Sequence, residues 1–222
     1  MARRTGKSFR TLARPAARRT AAETVLVVCE GAKTEPDYLR DLVADLKLTG
    51  ADVQVCGQEC GSDPLSIATY AKETAAIAEA LDHVYCVFDR DGHQTRSQAL
   101  ALIKSLDEKE GPSFTAVESV PCFEYWVLIH FTDTSKPYAP SGGRSVCDCC
   151  IADLKPYIKD YKKGRAGLYG LLRDNLEVAI KRAKRRKAAA LKDGADNPST
   201  DLPALIEKLV DLSSCEDKPR LG

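Results

Sequence analysis

Four short apolar runs, spaced by stretches of helical periodicity, most constrain what this chain can fold into. The first, Thr24–Cys29, and the third, Val84–Phe88, are rich in β-branched or aromatic residues. Each runs into an acidic turn closed by glycine, Glu30-Gly31 and Asp89-Arg90-Asp91-Gly92, which reads as a buried strand entering a turn. Asp52–Cys56 and the partly alternating Thr115–Val120 read as two more strands. Between them lie helical patterns. Tyr38, Leu39, Leu42, Val43 and Leu46 keep helical spacing after Thr34 as N-cap and Pro36 in the first turn. Asp63 caps a second helix that opens at Pro64, and a third covers roughly 95–110. Alternation of this kind predicts a parallel sheet with helices on both faces. The expected fold is α/β, a Rossmannoid, mostly parallel four-stranded sheet with flanking helices and a C-terminal helical extension.

After Pro121, the run from Cys122 to Phe131 is long for a strand and reads as a buried helix. Residues 132–150 contain Pro137, Pro140, Gly142 and Gly143 and read as a loop. Helices are expected near 151–160, 167–190 and 201–213, the last with Thr200 as N-cap and Pro203 in its first turn. The predicted organisation is a flexible basic arm (1–22), an α/β core (23–131), a Cys/Pro/Gly-rich loop (132–150) and a helical region (151–222). No apolar run approaches the roughly 20 residues of a membrane helix, and no signal-peptide core follows the basic N-terminus. The expected location is cytoplasmic.

The net charge of +1 is uninformative, but its distribution is not. Residues 1–20 carry seven Lys and Arg and no acid, and a second basic block spans Lys181–Lys187. Both are suited to a phosphate backbone. Arg3, Arg4, Arg10, Lys181, Arg182, Arg185 and Arg186 are therefore candidate nucleic-acid contacts, against the plainer readings of a solvated arm and an exposed helix face. Among the nine cysteines, Cys29, Cys56, Cys86 and Cys122 lie in or beside apolar segments and read as buried thiols. Cys147 and Cys150 have CxxC spacing and Cys56 and Cys60 CxxxC spacing, which allows one Zn²⁺ site built from both pairs.

The strand tips carry the chemistry. Parallel sheets present functional groups at the carboxyl ends of their strands. Glu30, Asp89 and Asp91 gathered there would repel one another unless a cation sat between them, and hard oxygen donors suit Mg²⁺ or Mn²⁺. Glu35, in the first turn of helix one, and Glu124, on the apolar segment after strand four, are candidate ligands of a second ion. For Glu35 the competing reading is an acid favoured by a helix N-terminus. A buried Glu124 needs a cation or donor.

An acid after strand one and Asp-x-Asp after strand three is the layout of the toprim domain, which residues 24–120 resemble. A closer resemblance covers nearly the whole chain. The segment from Val27 to Leu39, together with Phe88-Asp89-Arg90-Asp91, Pro121-Cys122-Phe123-Glu124-Tyr125-Trp126, Tyr161-Lys162-Lys163-Gly164 and Asn197-Pro198-Ser199-Thr200, resembles the ordered blocks of the RloB-like family. That resemblance implies a Mg-dependent toprim-type nuclease, acting on DNA or RNA in bacterial anti-phage defence beside an AAA- or ABC-type ATPase partner. Glu30, Asp89 and Asp91 would be catalytic and metal-binding, and Lys163, or Lys162, would stabilise developing phosphorane charge. Asn197–Thr200 would bind phosphate or merely cap a helix. The Cys147–Cys150 segment is no part of the pattern. The alternative is a catalytically silent toprim-like module that binds nucleic acid and regulates the ATPase. A third class, nucleotidyl transfer, lacks a Walker-type loop. A homo-oligomer is compatible with all three.

Overall fold

The computed structural model describes residues 23–48, 51–78, 80–90 and 92–213. The predicted basic arm with Arg3, Arg4 and Arg10, and the carboxylate of Asp91, lie outside the described residues. In chain order the elements are β1 (Glu23–Cys29), α1 (Thr34–Leu46), β2 (Ala51–Cys56), α2 (Pro64–Ile77), β3 (His83–Asp89), α3 (Arg96–Asp107), β4 (Ser113–Val120), α4 (Phe123–Leu128), α5 (Val146–Leu154), α6 (Leu168–Leu172), α7 (Leu176–Asp193), β5 (Ser199–Thr200) and α8 (Leu202–Leu212). Short 3₁₀ turns occupy Gln58–Cys60 and Arg173–Asn175.

The sheet has the order β2-β1-β3-β4-β5, with the first four strands parallel. Strand alternation divides the interior into two layers. Val25, Val27 and Cys29 face α1 and the helices after β4, whereas Leu26 and Val28 face α2 and α3. From β1 the chain moves one way to β2, then crosses back to place β3 on the other side of β1. In a parallel sheet that reversal leaves a crevice beyond the carboxyl ends of the two strands. Glu30 and Asp89 stand at that point.

Two expectations are corrected. The sheet has five strands, because Ser199–Thr200 pairs antiparallel with β4 (Ser119 opposite Thr200, Val120 opposite Ser199). A two-residue strand is too short to show periodicity, and its segment reads equally as a helix cap. The predicted loop ends early, since residues 146–154 are helical. A capping box in which Ser145 and Asp148 satisfy each other's backbone N–H starts α5, and this puts Cys147, Cys149 and Cys150 on a helix. The expected C-terminal helical extension is present and packs on the sheet. Leu202, Leu205, Ile206, Leu209 and Val210 of α8 bury into the same core as β1, α1 and α4.

Local rules account for the rest. Asp63 caps α2 through the Leu65 and Ser66 amides, as predicted, and also accepts from the Thr95 hydroxyl at 2.9 Å. Every residue of α4 is buried. Side chains such as Phe123 and Trp126 each contribute about 1.5–3 kcal/mol on burial, which offsets the cost of holding Glu124 among them. No described helix is long and apolar enough to cross a membrane.

Candidate active site

The cleft at the switch point holds about 320 Å³ and is lined by Glu30, the turn from Gly31 to Thr34, Glu35, Asp89, Lys163 and Gly164. Its floor is the carboxyl ends of β1 and β3, which carry Glu30 and Asp89. The Glu30 amide donates to the Val87 carbonyl at 2.8 Å, so the turn after β1 stays registered on β3. The Glu30 carboxylate then accepts from the Asp89 amide at 2.9 Å and meets His93 Nε2 at 3.0 Å. Asp89 is 7% exposed and accepts from the Phe123 amide at 2.8 Å, which ties the tip of β3 to the first turn of α4.

Glu124 is 1% exposed. One of its oxygens accepts from the Tyr161 hydroxyl at 3.0 Å. Among the described residues its Oε2 receives no hydrogen bond, and the Lys163 ammonium stands 3.8 Å away. A buried carboxylate oxygen in that condition is costly unless a cation serves it.

The electrostatics agree. Burial pushes the Asp89 carboxyl well above the ordinary range, reinforced by Glu35, Glu124 and Glu30. Burial likewise raises Glu35 to about 8, with Glu124 and Glu30 adding to the rise and its own backbone amide and Lys163 opposing it. Burial works against the Lys163 ammonium, yet Glu124 and Asp89 outweigh it and hold its pKa above the usual lysine value. Four carboxylates therefore crowd around Lys163, and a divalent ion would relieve their mutual repulsion.

Of the predicted site residues, Glu30, Glu35, Asp89, Glu124 and Lys163 come together. Lys162 is exposed, and Lys163 is the lysine of that pair that faces Glu124. Thr34 does not cap α1. Its hydroxyl accepts from the Gly164 amide at 2.8 Å, clipping the Lys163 loop to the rim of the cleft. Arg90, between the two aspartates, forms a bidentate ion pair with Asp196. Asn197 makes reciprocal bonds with the Tyr138 backbone (3.1 and 2.7 Å).

The basic block on α7 is tied into the protein. Lys181 pairs with Glu177 at 2.5 Å, and Arg182 donates to the Ile129 carbonyl at 2.8 Å. Arg185 pairs with Asp133, and Arg186 donates to the Pro198 and Ala195 carbonyls. The two cysteine pairs do not meet. Cys147 and Cys150 belong to the core on one face of the sheet, and Cys56 and Cys60 pack on the other, so the four-thiolate zinc site does not form.

Sequence reading missed the Tyr161–Glu124 bond and the His93–Glu30 contact. Both partners are far apart in sequence, and no local pattern announces them. A family model described as RloB-like protein matches residues 25–209, so the chain belongs to that family. No curated protein and no solved structure matches it.

Proposed function

We propose, taking membership of the RloB-like family as the premise, that this cleft is the centre of a divalent-metal-dependent nuclease of toprim type. Its setting would be bacterial anti-phage defence, with an ATPase partner and DNA or RNA as substrate. The observation that carries the reading is the buried Oε2 of Glu124, without a hydrogen bond among the described residues, in a cluster of four carboxylates around Lys163. The donor set is all oxygen, which fits Mg²⁺ or Mn²⁺. Glu30 and Asp89 would hold the ion, with Asp91, Glu35 and Glu124 completing one or two positions. Such an ion, when bound, polarises a phosphoryl oxygen and makes water a stronger nucleophile at neutral pH.

The chain's own residues do the rest. Lys163, 53% exposed at its side chain, is placed to balance charge on a phosphate entering the cleft. Glu30 is held at both oxygens, by the Asp89 amide and by His93, and so keeps one orientation at the strand tip. A proton shuttled by Glu30 would pass at that fixed point.

The test is a cleavage screen over tRNA, single-stranded RNA, single-stranded DNA and plasmid with Mg²⁺ or Mn²⁺, with and without an ATPase encoded beside it. Asp89→Asn is expected to abolish cleavage, by at least the roughly 100-fold typical of losing one electrostatic catalytic group, while the fold survives by circular dichroism. Equal cleavage by Asp89→Asn and wild type would overturn the proposal.

A further inference from the structure

The sequence leaves the Cys147 segment without a role, and the fold gives it a neighbour. On α5, Cys147 turns inward against Cys122, the residue before α4. A carboxylate oxygen of Asp89 and the Sγ atoms of Cys122 and Cys147 all lie within 4.8 Å of one another. The three residues are 7%, 0% and 4% exposed. They come from three elements: the end of β3, the N-cap of α4 and the first turn of α5. Asp89 also lines the cleft, so the cluster is buried and touches the cleft through this one residue.

Two thiols and one carboxylate are a different donor class from the oxygen cluster beside them. Thiolate sulfur favours Zn²⁺ over Mg²⁺, and three protein donors with a fourth position left to solvent is a common zinc arrangement. Donors around a tetrahedral zinc ion, at its usual bond lengths, stand roughly 3.3–3.8 Å apart. The cluster needs to contract by at most about 1–1.5 Å to meet that spacing.

We infer that Asp89, Cys122 and Cys147 form a site for Zn²⁺ that shares Asp89 with the carboxylate cleft. One carboxylate serves two sites of opposite preference. Zinc on the thiols draws Asp89 away from the oxygen donors, so the protein's affinity for Mg²⁺ or Mn²⁺ falls when zinc is bound. The zinc site itself follows from the three side chains alone, and only its effect on the cleft rests on the function proposed above.

The experiment uses the full chain, stripped of metal and titrated with Co²⁺ as a spectroscopic substitute for Zn²⁺. One Co²⁺ per chain is expected, with a thiolate-to-metal absorption band that Zn²⁺ bleaches. The band is lost in Cys147→Ser and in Cys122→Ser. It is kept in Cys149→Ser, and in a Cys56→Ser/Cys60→Ser variant that removes the second thiol group near Glu59. A band that survives in Cys147→Ser, or that vanishes only in the Cys56/Cys60 variant, overturns the site, as does absence of any band in wild type. Buried serine can destabilise, so wild-type crystals soaked in Zn²⁺ give an answer without variants. An anomalous peak among Asp89, Cys122 and Cys147 supports the site, and a peak elsewhere alone overturns it. Mn²⁺ binding followed by its electron-spin resonance signal, before and after zinc, reads the competition. A zinc peak in place, with no cleavage of any substrate by the zinc-free protein in Mg²⁺ or Mn²⁺, would keep the zinc site and defeat the nuclease reading.

Discussion

The Tyr161 hydroxyl bonds one oxygen of Glu124 and leaves the other toward Lys163, so this phenol fixes which face of the carboxylate meets the cleft. Tyr161→Phe removes the donor and leaves a second buried oxygen unserved. The expected cost is about 1–3 kcal/mol, read as a lower melting temperature of roughly 2–4 °C per kcal/mol for a chain of this size. Tyr157→Phe, at an exposed ring, is expected to leave the melt unchanged. The same logic explains His93. It sits 3.0 Å from Glu30 without the spacing of a metal-binding histidine pair, and acts by orienting a carboxylate.

At the scale of elements, the cleft depends on how closely the turn after β1 packs on the start of α1 and the end of β2. A Cβ added at Gly57 would stand 2.8 Å from Pro36 Cγ and 2.9 Å from the Gly31 carbonyl. Gly57→Ala must therefore push the turn that carries Glu30. It is expected to cost about 1–3 kcal/mol and to weaken Mn²⁺ binding, measured by calorimetric titration. Gly170→Ala, with open space around it in α6, is expected to stabilise by about 0.4–1 kcal/mol. This level was also the most legible in sequence. Apolar runs ending in Glu30-Gly31 and Asp89 marked the strand tips, because a buried strand must exclude polar groups until it surfaces. Asp63-Pro64 announced α2 by its cap. What stayed hidden had either too little length, as in β5, or a misleading composition. Pro, Gly and Ser around 137–145 masked a capping box that Ser145 and Asp148 do spell out. The pairing of Cys147 with Cys122 depends on where α5 docks, which no local pattern encodes.

For the whole molecule, the raised carboxyls of Glu35 and Asp89 make stability depend on pH. The folded values lie above the unfolded one, which for glutamate is about 4.3. Their contribution is thus fully present below that value and is lost as pH rises, for Glu35 through about 8. The metal-free protein is expected to melt at a lower temperature at pH 9 than at pH 6. Added Mn²⁺ should raise the melt more at the higher pH, since the ion replaces the protons. Equal melts across that window would mean that the carboxylates are not crowded. The place of β5 has a consequence in time. Four strands are in hand once residue 120 has been made, but the flank of β4 waits for a two-residue patch some eighty positions later. The layer beneath α4 waits for α8, later still. During synthesis, then, a chain with all its carboxylates already out of the ribosome still lacks the pieces that seal the sheet. A finished rim for the carboxylate cleft is among the last things translation delivers.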